Sequence, residues 1–410
     1  MKIKKISVEL YPFGKRFAIS MADDTDGATL SQIQPVYDHL HPLGIRLTKT
    51  VWPLKATDIC GDYPGLPLVG DTLEDRSYRE YCEKLHSRGV EIALHTASAG
   101  NSVREETIKA YDFFEEIFGH PPDTNIMHSR NKDNIYWGKY CVSNPLLARL
   151  IGCLEPQEFL GHKKDSPYYW GDICRERTKY VRLFATLKAN TLAYDPATPY
   201  HDPAKPDVNW WFSTSFGHKN RLYDLLSHEN LEKMARERGA SIIHFYTKNY
   251  VTENNGSYVI NDNFLKLSEQ LEQRTDGWYV PVAELLDRIR AIRSLQAEYA
   301  AGTITIYNDS DMDINDLALN SEEDISTSLD GGDYVRCTRN NFNQICLGTL
   351  KSKSRITIKI SQKCFLVIPK KVKPNEARLV FGHLVKVFWQ FYHGRMSIKP
   401  GETWREEAAQ

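Results

Sequence analysis

Over residues 15–295 the chain alternates short apolar runs with longer segments whose apolar residues recur every three or four positions. Phe17–Ala22, Ile45–Val51, Val90–Leu94 and Thr124–Met127 have the length and content of strands. Between the first two, Leu30, Ile33, Val36, Tyr37 and Leu40 keep helical spacing up to Gly44. The helices expected over Ser77–Arg88 and Arg104–Phe118 end at Gly89 and Gly119, a residue suited to the left-handed position that stops a helix. The same rhythm returns later. It predicts strands at Val208–Thr214, Ser241–Phe245 and Gly277–Val280, and helices at Asn230–Arg238, Asn263–Arg274 and Val282–Ile292. Strands separated by helices pair in parallel, so the fold class is α/β. Pro145, Pro156, Pro167, Pro196, Pro199 and Pro203 punctuate the stretch from Gly138 to Pro206, which is expected to form loops and short helices over one face.

After Gly302 the period changes to two. Thr303–Tyr307, Gln344–Leu347 and Arg355–Ile360 alternate between turns rich in Asn, Asp and Gly, as in a small antiparallel β domain. The expected organisation is a barrel domain over 1–297, a β-sandwich-like domain over 302–370 and an extension over 371–410. The boundary lies in Ala297–Gly302, and the tail Glu402–Ala409 is solvated.

Composition narrows the partners. A net charge of -1 over 410 residues gives no electrostatic reason to expect nucleic acid or an anionic membrane. With 22 Tyr and 8 Trp, the surface leans toward stacking on sugars. The basic start Met1–Lys5 is not followed by the apolar stretch of a secretory leader. Leu379–Tyr392 is apolar but interrupted by His383 and Lys386, and too short for a membrane span. Eight cysteines without a CxxC pair fit reduced thiols, so a cytoplasmic protein is expected, with homo-oligomers left open.

Three of the apolar strands end in groups that can hold a metal ion: Asp23-Asp24, His95 and His128. In a parallel barrel the carboxyl ends of the strands converge on one rim, and His244 stands at such an end too. One carboxylate and two imidazoles suit a divalent ion, zinc first, with nickel, cobalt or iron as alternatives. A second carboxylate beside the ion can take a proton from water. Each residue also has a plainer reading. The Asp-Asp-Thr-Asp stretch could cap the next helix through Asp26 or Thr29, and each histidine could be a satisfied core or loop residue.

Ser20-Met21-Ala22-Asp23-Asp24, Glu91-Ile92-Ala93-Leu94-His95-Thr96 and Ser241-Ile242-Ile243-His244 resemble the first, second and last motifs of the polysaccharide deacetylase (NodB-homology) superfamily. The approach through Gly119, Pro121 and Pro122, and the stretch Trp278–Leu285, are similar to its third motif and closing elements. The resemblance implies a distorted (β/α)7 barrel and metal-dependent hydrolysis of an N- or O-acyl group on a sugar or glycoconjugate. It implies Asp23 as general base, Asp24 and His95 as metal ligands, and His244 as the group that protonates the leaving amine or alcohol. The family's second ligand histidine would fall on Ala99, and its Arg-Pro pair on the stretch His128-Ser129-Arg130-Asn131. His128 is therefore expected to supply the third ligand, with Arg130, Asn131 and Trp210 binding substrate. Two other readings stand beside this one. A metal-free glycosidase would pair Asp23 or Asp24 with Asp195, Asp202 or Asp207. A catalytically silent carbohydrate-binding protein would use Tyr168, Tyr169, Trp170, Trp210 and Trp211 as stacking platforms.

Overall fold

The computed structural model of the chain describes residues 4–57, 70–300, 302–322, 325–329, 335–360 and 364–397. Cys60 and the tail 402–409 lie outside them.

Seven parallel strands form a closed barrel: Phe17–Asp23, Thr48–Val51, Glu91–Leu94, Thr124–Asn125, Tyr180–Thr186, Trp210–Phe216 and Ala240–Phe245. The last strand pairs with the first from Ala18↔Ala240 to Asp23↔Phe245, which closes the ring. An eighth parallel strand, Gly277–Tyr279, pairs with Phe17–Ile19. The second strand meets the first only at Ala22 and Asp23. With the seventh strand along one edge, these two share the other, and the barrel is distorted at that point.

Tyr180–Thr186 occupies the stretch expected to be loops, which is a correction. All seven of its residues are buried. A strand covered on both faces has no polar alternation to reveal it. Its single charge, Arg182, breaks the apolar run.

The β unit holds two sheets around a core of its own, including Ile304, Ile306, Leu317, Leu319, Ile356 and Ile358. Two of its strands come from outside the stretch that the sequence pattern marked. Lys4–Val8 lies between Ile314–Asn320 and Cys364–Val367. Gln296–Ala300, expected as the boundary, pairs antiparallel with Thr303–Tyr307. Within the segment after residue 370, Glu376–Ser397 forms a helix packed along Tyr180–Thr186. Leu379 and Val380 enter the barrel-side core, and the Tyr194 hydroxyl donates to the Leu379 carbonyl at 2.5 Å. Gly382 permits this approach, because a Cβ there would lie 2.4 Å from the Tyr194 ring. Among the described residues, no helix is long and apolar enough to cross a membrane.

Candidate metal centre at the barrel rim

The first strand ends at Asp23, and the chain then turns. The Asp24 amide donates to the Phe245 carbonyl at 3.0 Å and the Thr25 amide to the Thr50 hydroxyl at 3.0 Å. Gly27 follows at φ 61°, a left-handed conformation that glycine adopts without penalty. This turn gives three nearby carboxylates three different surroundings.

Asp23 is fully buried and saturated. Its Oδ2 lies 3.1 Å from the Lys49 ammonium and accepts from the Tyr37 and Thr247 hydroxyls at 3.1 and 2.9 Å. Its Oδ1 accepts from the Thr247 amide at 2.8 Å. Lys49 is as buried as its partner, so each charge depends on the other.

Asp24 lies 3.0 Å from the Arg182 guanidinium and 3.1 Å from His244 Nε2. Burial pushes its carboxyl up, but Arg182, His244 and His95 together hold it well below the usual carboxylate range. Burial lowers the His244 pKa against the pull of Asp24. His244 Nε2 also meets the Tyr246 hydroxyl at 3.3 Å, and its buried Nδ1 has no partner among the described residues.

Asp26 is the carboxylate that meets the two rim histidines. Its Oδ1 lies 3.1 Å from His95 Nε2 and 3.0 Å from His128 Nε2. Burial raises the Asp26 pKa, and the two imidazoles outweigh this and hold it well below the ordinary value. The imidazole rings stand 5.2 Å apart at 86°, both against Trp52. Asn131 orients His128: its amide nitrogen donates to the Gly100 carbonyl at 2.7 Å, leaving its oxygen 3.2 Å from His128 Nδ1. A proton held there on Nδ1 leaves the Nε2 lone pair facing Asp26, the tautomer that metal ligation requires. Thr96, directly after His95, adopts φ 62°, an uncommon conformation for a β-branched residue.

The donor set fits a divalent cation. Asp26, His95 and His128 each offer one ligand atom, and these atoms lie within 4.8 Å of one another. Two imidazole nitrogens and one carboxylate oxygen, with room for further ligands, match a catalytic zinc-type site.

The sequence-predicted residues thus divide. His95 and His128 come together, with Asp26 rather than Asp24 beside them. Asp24 and His244 form a pair of their own, and Asp23 is tied to Lys49 and Thr247 instead of facing the cavity. Asn131 positions His128. Arg130 is exposed, with φ 62° and its carbonyl accepting from Gln157. Trp210 starts its strand, at the opposite end from the rim residue Phe216, with Arg290 stacked on it at 4.3 Å. Strand length, about 20 Å for seven residues, therefore separates Trp210 from the rim.

The partners for a metal-free glycosidase are occupied elsewhere. Asp195 accepts from Thr198 and Ser213, Asp202 pairs with Lys205, and Asp207 accepts from Tyr136. Of the proposed stacking residues, Trp170 and Trp211 are core.

A cavity of about 100 Å³ opens at the rim. Asp24, Asp26, His95, Arg182 and His244 line it, together with His383, Lys386 and Gln390 of the C-terminal helix. Arg182 and the helix residues were missed. Arg182 carried a usable signal, a lone charge inside an apolar run. Asp26 was visible only as a capping candidate.

No family model matches the chain, and no curated protein matches it. Among solved structures, it is similar to a putative polysaccharide deacetylase from Mycobacterium smegmatis, with 11% identity over 71% of this chain and 96% of that one, at a TM-score of 0.41. It is similar to a probable polysaccharide deacetylase from Pseudomonas aeruginosa PAO1, with 10% identity over 68% and 92% at a TM-score of 0.40. An allantoinase has 10% identity over 68% and 92% at a TM-score of 0.39. These scores are low, and the fold described above rests on the strand pairings.

Proposed function

We propose that the chain is a metal-dependent hydrolase that removes an N- or O-acyl group, acetyl in the first instance, from a sugar or glycoconjugate precursor. The observation that carries this reading is the Asp26–His95–His128 cluster, whose Asp26 and His95 line one cavity with the separate carboxylate–histidine pair Asp24–His244. In this reading Asp26, His95 and His128 hold the ion, with zinc the best match to the donors. When bound, such an ion supplies Lewis-acid polarisation of a carbonyl and lowers the pKa of water.

The chain's own groups do the rest. Asp24, kept ionised by Arg182 and His244, accepts the proton of the attacking water at Oδ2 or Oδ1. His244 carries a proton to the departing amine or alkoxide, which leaves as the neutral amine or alcohol while the acyl group leaves as the acid. Arg182 holds Asp24 in place, and Asn131 holds His128. A cavity of about 100 Å³ is small beside a typical ligand pocket, and it suits the acyl group rather than a sugar ring. A cytoplasmic setting belongs to this reading, and Cys82, Cys141, Cys153, Cys174 and Cys346 as free thiols support it.

The test is a paired measurement of zinc content and ester or amide hydrolysis on acetylated sugars. Asp24→Asn should keep the metal and lose about 10²–10⁴ in kcat, the usual contribution of a positioned acid or base. Full turnover in Asp24→Asn would discard its role as base.

A further inference from the structure

His95 and His128 follow different strands, and the ladder between those strands ends at Leu94 and Asn125, short of both histidines. Beyond that point the two loops have to hold each other. The first, Thr96–Ser102, carries only small side chains and Asn101. Such side chains bury little apolar surface, so hydrogen bonds must fix the loop's path.

Three hydrogen bonds among the described residues join the loops. One is the Asn131 bond to the Gly100 carbonyl that orients His128. In the second, the Lys132 amide donates to Asn101 Oδ1 at 2.8 Å. In the third, the Ser102 amide donates to Asp133 Oδ1 at 3.2 Å. Residues 131, 132 and 133 thus meet residues 100, 101 and 102 in order, which makes a continuous seam.

The far side of the second loop is held as well. The Trp170 indole N–H donates to the Asp133 carbonyl at 2.6 Å. The Leu160 and Gly161 amides donate to the Lys132 and Asn134 carbonyls at 2.6 and 3.2 Å. Only glycine fits at position 161, because a Cβ there would lie 2.0 Å from the Asp133 carbonyl oxygen. The loop after His128 is therefore clamped between the loop after His95 on one side and the Leu160–Trp170 segment on the other.

We propose that Asn101 and Asp133 are positioning residues that set the spacing of His95 and His128 before the ion arrives, a role that rests on those two histidines and Asp26 being the metal's ligands. Both imidazole Nε2 atoms lie 3.0 to 3.1 Å from the same Asp26 oxygen, and this is the convergence that the seam maintains. Ligands arranged in advance lose less freedom on binding, so affinity rises without any new contact to the ion.

The experiment is zinc titration of the full chain by calorimetry, with the absorption spectrum of bound cobalt(II) as a reporter of ligand geometry. Asp133→Ala and Asn101→Ala should each bind zinc about ten-fold more weakly than the parent and shift the cobalt bands. Asp133→Asn keeps an oxygen that accepts from the Ser102 amide, and should bind within about two-fold of the parent. Should Asp133→Ala fail to fold, Asn101→Ala decides, because its bond lies at the surface. A lowered melting temperature with unchanged zinc affinity and cobalt spectrum would make the seam a fold-stabilising contact alone and overturn the proposal. Equal loss in Asp133→Asn would assign the effect to the carboxylate's charge and overturn it as well. A parent chain that binds no zinc would overturn the metal reading itself, an outcome visible before any variant is made.

Discussion

Asp23, Asp24 and Asp26 are chemically identical side chains within four residues, and the barrel gives them three tasks. Burial and partner charges make the difference: Lys49 for Asp23, Arg182 with His244 for Asp24, and two imidazoles for Asp26. The sequence makes the cluster of acids at the end of an apolar strand legible, along with His95 and His128 at the ends of two others. It does not reveal which carboxylate faces which partner, because the turn after Asp23 sets that, and hydrogen bonds to Thr50 and Phe245 hold the turn. Removing one partner of the buried Asp23–Lys49 pair, as in Lys49→Met, should lower stability by about 3–5 kcal/mol in urea unfolding. Lys49→Met combined with Asp23→Leu should recover much of that loss, and a mild effect of the single change would show that the pair is not structural. Glu91 provides a pH test. Burial pushes its carboxyl from 4.5 up to about 7 despite hydrogen bonds from Thr48 and the Ala283 amide. The folded chain therefore binds this proton more tightly than the unfolded chain does. Its contribution is complete below about pH 4.5 and disappears as pH rises toward 7, a change of about 3 kcal/mol at most. Melting curves from pH 5 to 8 should slope less for Glu91→Gln than for the parent chain, and equal slopes would contradict the assignment.

At the scale of elements, strands read best where a helix of clear period follows them. The segments around Phe17–Asp23, Glu91–Leu94 and Ala240–Phe245 were legible for that reason. Tyr180–Thr186 was not, since a strand buried on both faces offers no period, and the prolines around it suggested loop. The cost of that blind spot was Arg182, the cation that holds Asp24. Replacing it by Leu should leave Asp24 buried with only His244 and His95 to favour its charge. The Asp24 carboxyl would then move up from its depressed value, and hydrolysis at neutral pH should fall by about ten-fold or more. Arg182→Lys should restore part of the rate, and unchanged rates in both variants would free Asp24 from dependence on this strand.

Over the whole molecule, the two ends of the chain cooperate. The N-terminal strand Lys4–Val8 completes a sheet of the β unit, and the C-terminal helix runs back along the barrel to the rim. Neither arrangement is local in sequence, so neither could be read from periodicity. Gly382 measures how closely the helix must sit. In Gly382→Ala the new methyl meets the Tyr194 ring, and repacking should cost about 1–3 kcal/mol, visible as a lower melting temperature. Which carboxylate completes the rim cluster decides the site's chemistry, and zinc titration by calorimetry reads this directly. The parent chain should bind one equivalent, Asp26→Ala should lose at least about ten-fold in affinity, and Asp24→Asn should bind as the parent does. Full affinity in Asp26→Ala, with loss in Asp24→Asn, would contradict the assignment and return the ligand role to Asp24.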